Sequence, residues 1–443
     1  MMIQACNNIQ NQALYLSHIQ SNLDDRVHRD PNSILRVVTQ NSLNKAKLAI
    51  QSITKFSTLS ASSPDQMAIE DCQELLDLSV TELTWSLGNL EAWLSVALSN
   101  QDTCLEGSEG TDRHLENYIK GSLTRVTQLI SNVLTLYVQL HSLSFKSPKN
   151  ETVTYENQKY PEWMTNVDKE AVVALDGSGR YRSIAQAVNE APSYSNRRYV
   201  IYVKRGIYHE KIDLKKKKIN IMLMGDGIGA TVITGNRNFM QGCTTFRTAT
   251  VAVSGKGFIA RDIKFRNTAG PKNFQGVALR VDSDQSGFFR CSMEGYQDTL
   301  YAHSLCQFYR ECSIYGTIDF IFGNGAALLQ NCKIFTRPPL PLQMPTYLGW
   351  PWKMYSRTVY MNTYMSSTVQ PRGWLEWFGN FALNSLWYGE YKNYGMGLGR
   401  FKWPGYHIIK DPSSASFFTV QHFIDGMSWL PATGIQFSAG LTN

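Results

Sequence analysis

Three segments of this chain repeat one pattern. They are Phe289-Arg-Cys291-Ser-Met293, Arg310-Glu-Cys312-Ser-Ile314 and Gln330-Asn-Cys332-Lys-Ile334, separated by 21 and then 20 residues. A repeat of this length in β-branched and aromatic sequence reads as the coils of a solenoid. Helical repeats of similar length carry a 3.6-residue apolar period, which is absent here. The pattern therefore predicts the stacked rungs of a parallel β-helix.

The period bears on chemistry. Asp298, in Tyr296-Gln-Asp-Thr-Leu-Tyr301, and Asp319, in Gly316-Thr-Ile-Asp-Phe-Ile-Phe-Gly-Asn324, are also 21 residues apart. Residues one rung apart stack at roughly 4.8 Å, so the two carboxylates fall within reach of each other. Gln275 and Gln297 are 22 apart, which puts Gln275 one rung earlier. Close carboxylates do not ionise together, so one is available as an acid while the other serves as base or nucleophile. Polar side chains in register also act as ladders or turn caps, and spacing alone does not separate the two readings.

At 443 residues the chain accommodates two or three domains, and 43% hydrophobic content supplies their cores. Its net charge of +7 suits an acidic partner without requiring one. Lys215–Lys218 read as a solvated turn, and no nucleic-acid-binding motif accompanies them. The 8 cysteines form no Cys-x-x-Cys pair and no zinc spacing. No apolar run is long enough for a membrane span. The start, Met1-Met-Ile-Gln-Ala-Cys6, has no apolar secretory core, so the expectation is a truncated start or a chain not secreted as written.

Residues 1–145 follow a different rule. Leu76, Val80, Leu83, Leu87, Leu90 and Leu94 are spaced alternately by four and three, as are Leu123, Val126, Ile130, Val133, Tyr137 and Leu140. With Leu43, Ala46, Ile50 and Ile53, and a first helix near 3–22, this predicts an all-α four-helix bundle. Residues 146–165 are polar and aperiodic and read as a linker, with the sequon Asn150-Glu-Thr152 inside it. Short β-runs such as Tyr199-Val-Ile-Tyr-Val203 begin the third region, 166–443. Gly225-Asp-Gly-Ile-Gly-Ala230 imitates a dinucleotide fingerprint, but strand-like Thr231-Val-Ile-Thr-Gly235 stands where a helix is needed. No Gly-x-Ser-x-Gly elbow supports a serine hydrolase.

The chain resembles plant pectin methylesterases that carry an N-terminal inhibitor-like domain. The resemblance rests on Gly206-Ile-Tyr-His-Glu210, Gly242-Cys-Thr-Thr-Phe-Arg-Thr-Ala-Thr-Val-Ala-Val253, Gln275-Gly-Val-Ala-Leu-Arg280, the two aspartate motifs, Trp352-Lys-Met-Tyr-Ser-Arg357, Tyr388-Gly-Glu-Tyr391 and Trp429-Leu-Pro431. It implies a right-handed parallel β-helix catalytic domain after the bundle. Asp319 matches the family's nucleophile, Asp298 its general acid and base, and Gln275 and Gln297 its oxyanion-stabilising amides. Thr245, Phe322 and Trp352 match substrate-side positions. The resemblance implies methylesterified pectin as partner, an intramolecular contact with the inhibitor-like domain, a secreted cell-wall location, and no metal, organic cofactor, nucleic acid or membrane. It also implies disulfides Cys72–Cys104 and Cys291–Cys312, the latter suited by a shared register, with two buried free thiols as the alternative.

Four departures stand out. Trp350 occupies the place of an arginine that the family pairs with the nucleophilic acid. About two rungs are missing between Cys332 and Thr346, where Pro338, Pro339, Pro341 and Pro345 exclude a central strand. Tyr15 stands where the resemblance expects a cysteine partner for Cys6, and the linker lacks a basic processing site. The first two raise an alternative, a catalytically impaired pectin-binding protein.

Overall fold

The computed structural model describes residues 31–56, 63–85, 90–141, 169–338, 345–353, 356–398 and 404–441. Two units divide the chain: Met1–Lys146 with Gln241–Arg247, and Ser147–Met240 with Thr248–Asn443.

The first unit contains helices α1 (Pro31–Phe56), α2 (Ser63–Trp85), α3 (Leu90–Ser108) and α4 (Arg113–His141). Each of α1 and α3 packs on both α2 and α4, closing a four-helix core. Ala46, Ile53, Ile69, Leu75, Leu76, Leu94, Ile119, Leu123 and Ile130 are fully buried in it. Leu76–Leu94, which reads as one seam, is divided between α2 and α3. Leu76, Val80 and Leu83 lie in α2 and Leu90 and Leu94 in α3, while Leu87 lies outside the described residues, so spacing by threes and fours does not by itself mark where a helix ends. The expected helix near 3–22 and the linker 146–165 lie outside the described residues. Cys72 and Cys104 are disulfide-bonded, joining α2 to α3.

The second unit is built on three parallel sheets wound in turn. The first holds seven strands, from Ala171–Val173 to Ala326–Gln330, the second six, from Gly206–His209 to Lys333–Thr336, and the third five, from Ile212–Leu214 to Ile321–Phe322. Pairing confirms the sequence period: Leu279 opposes Leu300, which opposes Ile321, and Ser292 opposes Ser313, which opposes Lys333. Like side chains therefore stack. Phe288 and Tyr309 lie 4.8 Å apart at 9°, close to the strand spacing, in a core where both are fully buried.

The coil turns its corners through left-handed backbone. Asp262, Arg290, Glu311 and Asn331 all have φ between 49° and 58°, each just after a strand of the seven-stranded sheet. Cys291, Cys312 and Cys332 follow three of these corners, and all three are free thiols. The Cys291–Cys312 bridge implied by the resemblance is thus not formed. Cys312 lies between the other two thiols on adjacent rungs, and its Sγ donates to the Phe288 and Arg310 carbonyls at 3.4 and 3.5 Å.

The two ends of the coil differ. At the first, helix α5 (Ile184–Glu190) buries Ile184, Ala187 and Val188 on the core. Glu210 holds its start, accepting from the Ile184 and Ala185 amides and the Ser183 hydroxyl. At the other end, among the described residues, all three sheets stop on one rung. Ile314 is fully buried, whereas Ile334, its partner on that rung, is 41% exposed. A separate parallel sheet follows, Arg357–Met361, Trp387–Tyr391 and Tyr406–Ile408, around a core of Trp374, Leu383, Leu386 and Tyr388.

Candidate active site

The strands Ser292–Glu294 and Ser313–Gly316 each lead through a tight corner into the third sheet. The corner folds closely because Gly316 lacks a side chain: a Cβ there would lie 2.1 Å from the Phe320 Cβ. Asp298 and Asp319 sit at this corner on adjacent rungs with φ of 64° and 46°. Aspartate accepts such backbone more readily than most residues. The ladder runs through the corner: the Asp298 amide donates to Ile318 at 3.0 Å and the Leu300 amide to Phe320 at 3.0 Å. With Leu300 opposite Ile321, the register sets Asp298 level with Asp319.

Burial then separates the two acids. Asp298 is 3% exposed, and burial first, the Asp319 charge second, raise its pKa well above the usual carboxylate range. Asp319 is less enclosed, and burial alone pushes it up to about 7. Near neutral pH the arrangement therefore offers one protonated acid beside one that ionises.

The amides adjoin this pair. Gln297 precedes Asp298, and the Gly276 amide donates to the Gln297 carbonyl at 3.1 Å, placing Gln275 on the preceding rung. Gln275 Oε1 is buried and has no hydrogen-bond partner. Phe322, three residues past Asp319, stacks on Tyr301 with centroids 4.1 Å apart. Asp298 thus stands level with Asp319, with Gln275 and Gln297 just before that level and Phe322 level with Tyr301 just after it. Two other expected site residues lie elsewhere: Trp352 follows the coil and stacks on Trp377, and Thr245 belongs to the segment that groups with the helical unit. Tyr301 and Trp377 were not singled out by motif or spacing. The 21-residue interval from Tyr301 to Phe322 was the available signal for the first.

The pectinesterase family model matches residues 170–345 and 341–427, and a plant invertase/pectin methylesterase inhibitor model matches residues 2–136. The chain belongs to the pectinesterase family. A pectinesterase/pectinesterase inhibitor protein of Arabidopsis thaliana is 57% identical over the whole chain and 94% of its own length. Pectinesterase 2 of Citrus sinensis is 44% identical over 92% of this chain and 88% of its own. Among solved structures, pectin methylesterase from carrot superposes with TM-score 0.60 at 47% identity, covering 62% of this chain and 99% of that one. A pectin methylesterase point mutant solved with a hexasaccharide superposes with TM-score 0.50 at 25% identity, covering 58% and 97%. These matches lend no support to the alternative of an impaired pectin-binding protein. The match to the Arabidopsis pectinesterase spans 513 aligned positions against 443 residues, a difference of 70. No helix among the described residues is long and apolar enough to cross a membrane.

Proposed function

We propose that this pectinesterase-family chain removes methyl esters from pectin, giving pectate and methanol in a plant cell wall. Residues 166–443 form the catalytic domain, 1–145 the inhibitor-like bundle and 146–165 the linker. The observation that carries the reading is the unequal burial of Asp298 and Asp319 at one level of adjacent rungs.

In this mechanism ionised Asp319 attacks the ester carbonyl carbon. The carbonyl electrons move to oxygen, where the Gln275 and Gln297 amides stabilise the oxyanion. Collapse expels the methoxy group, which takes the Asp298 proton and leaves as methanol. Asp298, now charged, takes a proton from water. The hydroxide attacks the acyl-enzyme anhydride, freeing the galacturonate carboxyl and restoring both acids. Loss of one oxyanion donor costs about 10²–10³ in kcat. Phe322, three residues past Asp319, lines the substrate side of the acid pair.

Methanol release from highly methylesterified pectin tests this. The unaltered protein should release it, and Asp298→Asn, which cannot deliver a proton to methanol, should lose about three orders of magnitude in kcat. Full activity in a folded Asp298→Asn variant would contradict the assignment.

A further inference from the structure

Register sorts the side chains of the third sheet. Leu279, Leu300 and Ile321 are ladder partners that pack into the coil core. Side chains alternate along a strand, so Arg280, Tyr301 and Phe322, ladder partners one residue further on, lie on the outer face. Tyr301 follows Asp298 by three residues, and Phe322 follows Asp319 by three. The outer column therefore begins just past the acid corner. This face is not open to water at Arg280 and Asp282, each 2% exposed, or at His303, 1% exposed.

These buried groups form one connected cluster that the ester chemistry does not use. Arg280 Nε donates to Asp282 Oδ1 at 3.1 Å, and the Ser254 hydroxyl donates to Asp282 Oδ2 at 2.6 Å. Burial first, and the Arg280 charge second, lower the pKa of His303 to about 3, so its imidazole is neutral. Its Nδ1 lies 3.1 Å from the Ser304 hydroxyl oxygen. The His303 ring meets Tyr301 edge to face, with centroids 5.0 Å apart at 75°, and Tyr301 stacks on Phe322 at 4.1 Å and 16°. A buried ion pair adds little stability over apolar side chains of the same volume. What its directional bonds supply here is a fixed place for the groups packed against it.

We propose that His303, seated against the buried Arg280–Asp282 pair, is a positioning residue whose ring edge sets the plane of Tyr301 and, through the stack, the place of Phe322 beside the acid pair. His303 acts on where the ester sits and not on which acid is charged. The shifts of Asp298 and Asp319 come from burial and, for Asp298, from the neighbouring acid. The proposal rests on the esterase reading above and adds to it a residue that touches neither the acids nor the amides.

Methanol release from methylesterified pectin, with kcat and KM measured separately, tests this. His303→Ala should raise KM about tenfold, move kcat much less, and leave the pH midpoint where it is. His303→Phe restores an aromatic edge against Tyr301 and should recover most of the KM. His303→Gln keeps a polar partner for Ser304 without a ring and should not. In a Phe322→Ala background, His303→Ala should add no further rise, because its effect passes through Phe322. Thermal melts establish that each variant folds; if His303→Ala does not, His303→Leu, which keeps the bulk without the ring, decides in its place. An unchanged KM in the folded variant, full recovery in His303→Gln, or an equal rise in the Phe322→Ala background overturns the proposal. Absence of methanol release by the unaltered protein overturns the esterase reading instead. Crystal structures of the unaltered protein and of His303→Ala then decide the positioning role: a displaced Phe322 ring supports it, and a ring in the same place refutes it.

Discussion

Asp298 and Asp319 occupy the same corner of two adjacent rungs, both in left-handed backbone, and the charge of Asp319 raises the pKa of Asp298. Ladder bonds on both sides of the corner hold this relationship, so the pair is fixed by the rung spacing rather than by a flexible loop. Proximity makes the acids interact. Their unequal burial gives them different protonation states.

The first consequence is a pH dependence. Asp319 acts as a nucleophile only when ionised, and burial sets its pKa at about 7. Asp298 is raised well above the usual range and stays protonated there. Below about pH 6 both acids are protonated and kcat/KM should fall about tenfold per pH unit. It should rise through pH 7 and level off above it. A profile already flat from pH 5 upward would show that Asp319 ionises normally.

Stability should move the other way. An acid whose folded pKa lies above its unfolded value of 3.8 binds more protons in the folded state. Stability is then lost as pH rises from about 4 through about 7. Asp319→Asn removes that charge, so its Tm should exceed that of the unaltered protein by a few degrees at pH 8 and match it near pH 4. Paired thermal melts at the two pH values check this. An equal or lower Tm for the variant at pH 8 would refute it.

The ends of the coil predict a contrast between matched positions. Ile314 and Ile334 are ladder partners, one fully buried and the other 41% exposed. Ile314→Ala leaves a cavity in a packed core and should cost about 2–5 kcal/mol. Ile334→Ala should cost less than about 1 kcal/mol. Denaturant unfolding of the two variants measures both values. Equal losses would mean that the last rung is covered in solution.

The coil and its acid pair were legible because both depend on one number. An interval of 21 residues fixes which side chains stack, and it holds for Cys291 with Cys312 and for Asp298 with Asp319 alike. Register does not encode bonding, however, and the same interval suited a disulfide where Cys291 and Cys312 are free thiols and Cys312 donates to backbone carbonyls. The helical unit shows a similar limit, since the spacing through Leu76 to Leu94 spans the end of α2 and the start of α3. Among the described residues the three sheets end on the rung before the proline-rich segment that follows Arg337. The indole stack was not readable. Trp352 and Trp377 are 25 residues apart on segments with no repeat, so only tertiary packing brings them together.

The central claim is that Asp319 is the nucleophile of a working esterase. Methanol release from highly methylesterified pectin at pH 8, by the unaltered protein and by Asp319→Asn side by side, tests it most directly. The account predicts sustained release by the first and a loss of about three orders of magnitude or more in the second, with its fold intact. Comparable release by both proteins, or none by the unaltered one, would contradict it.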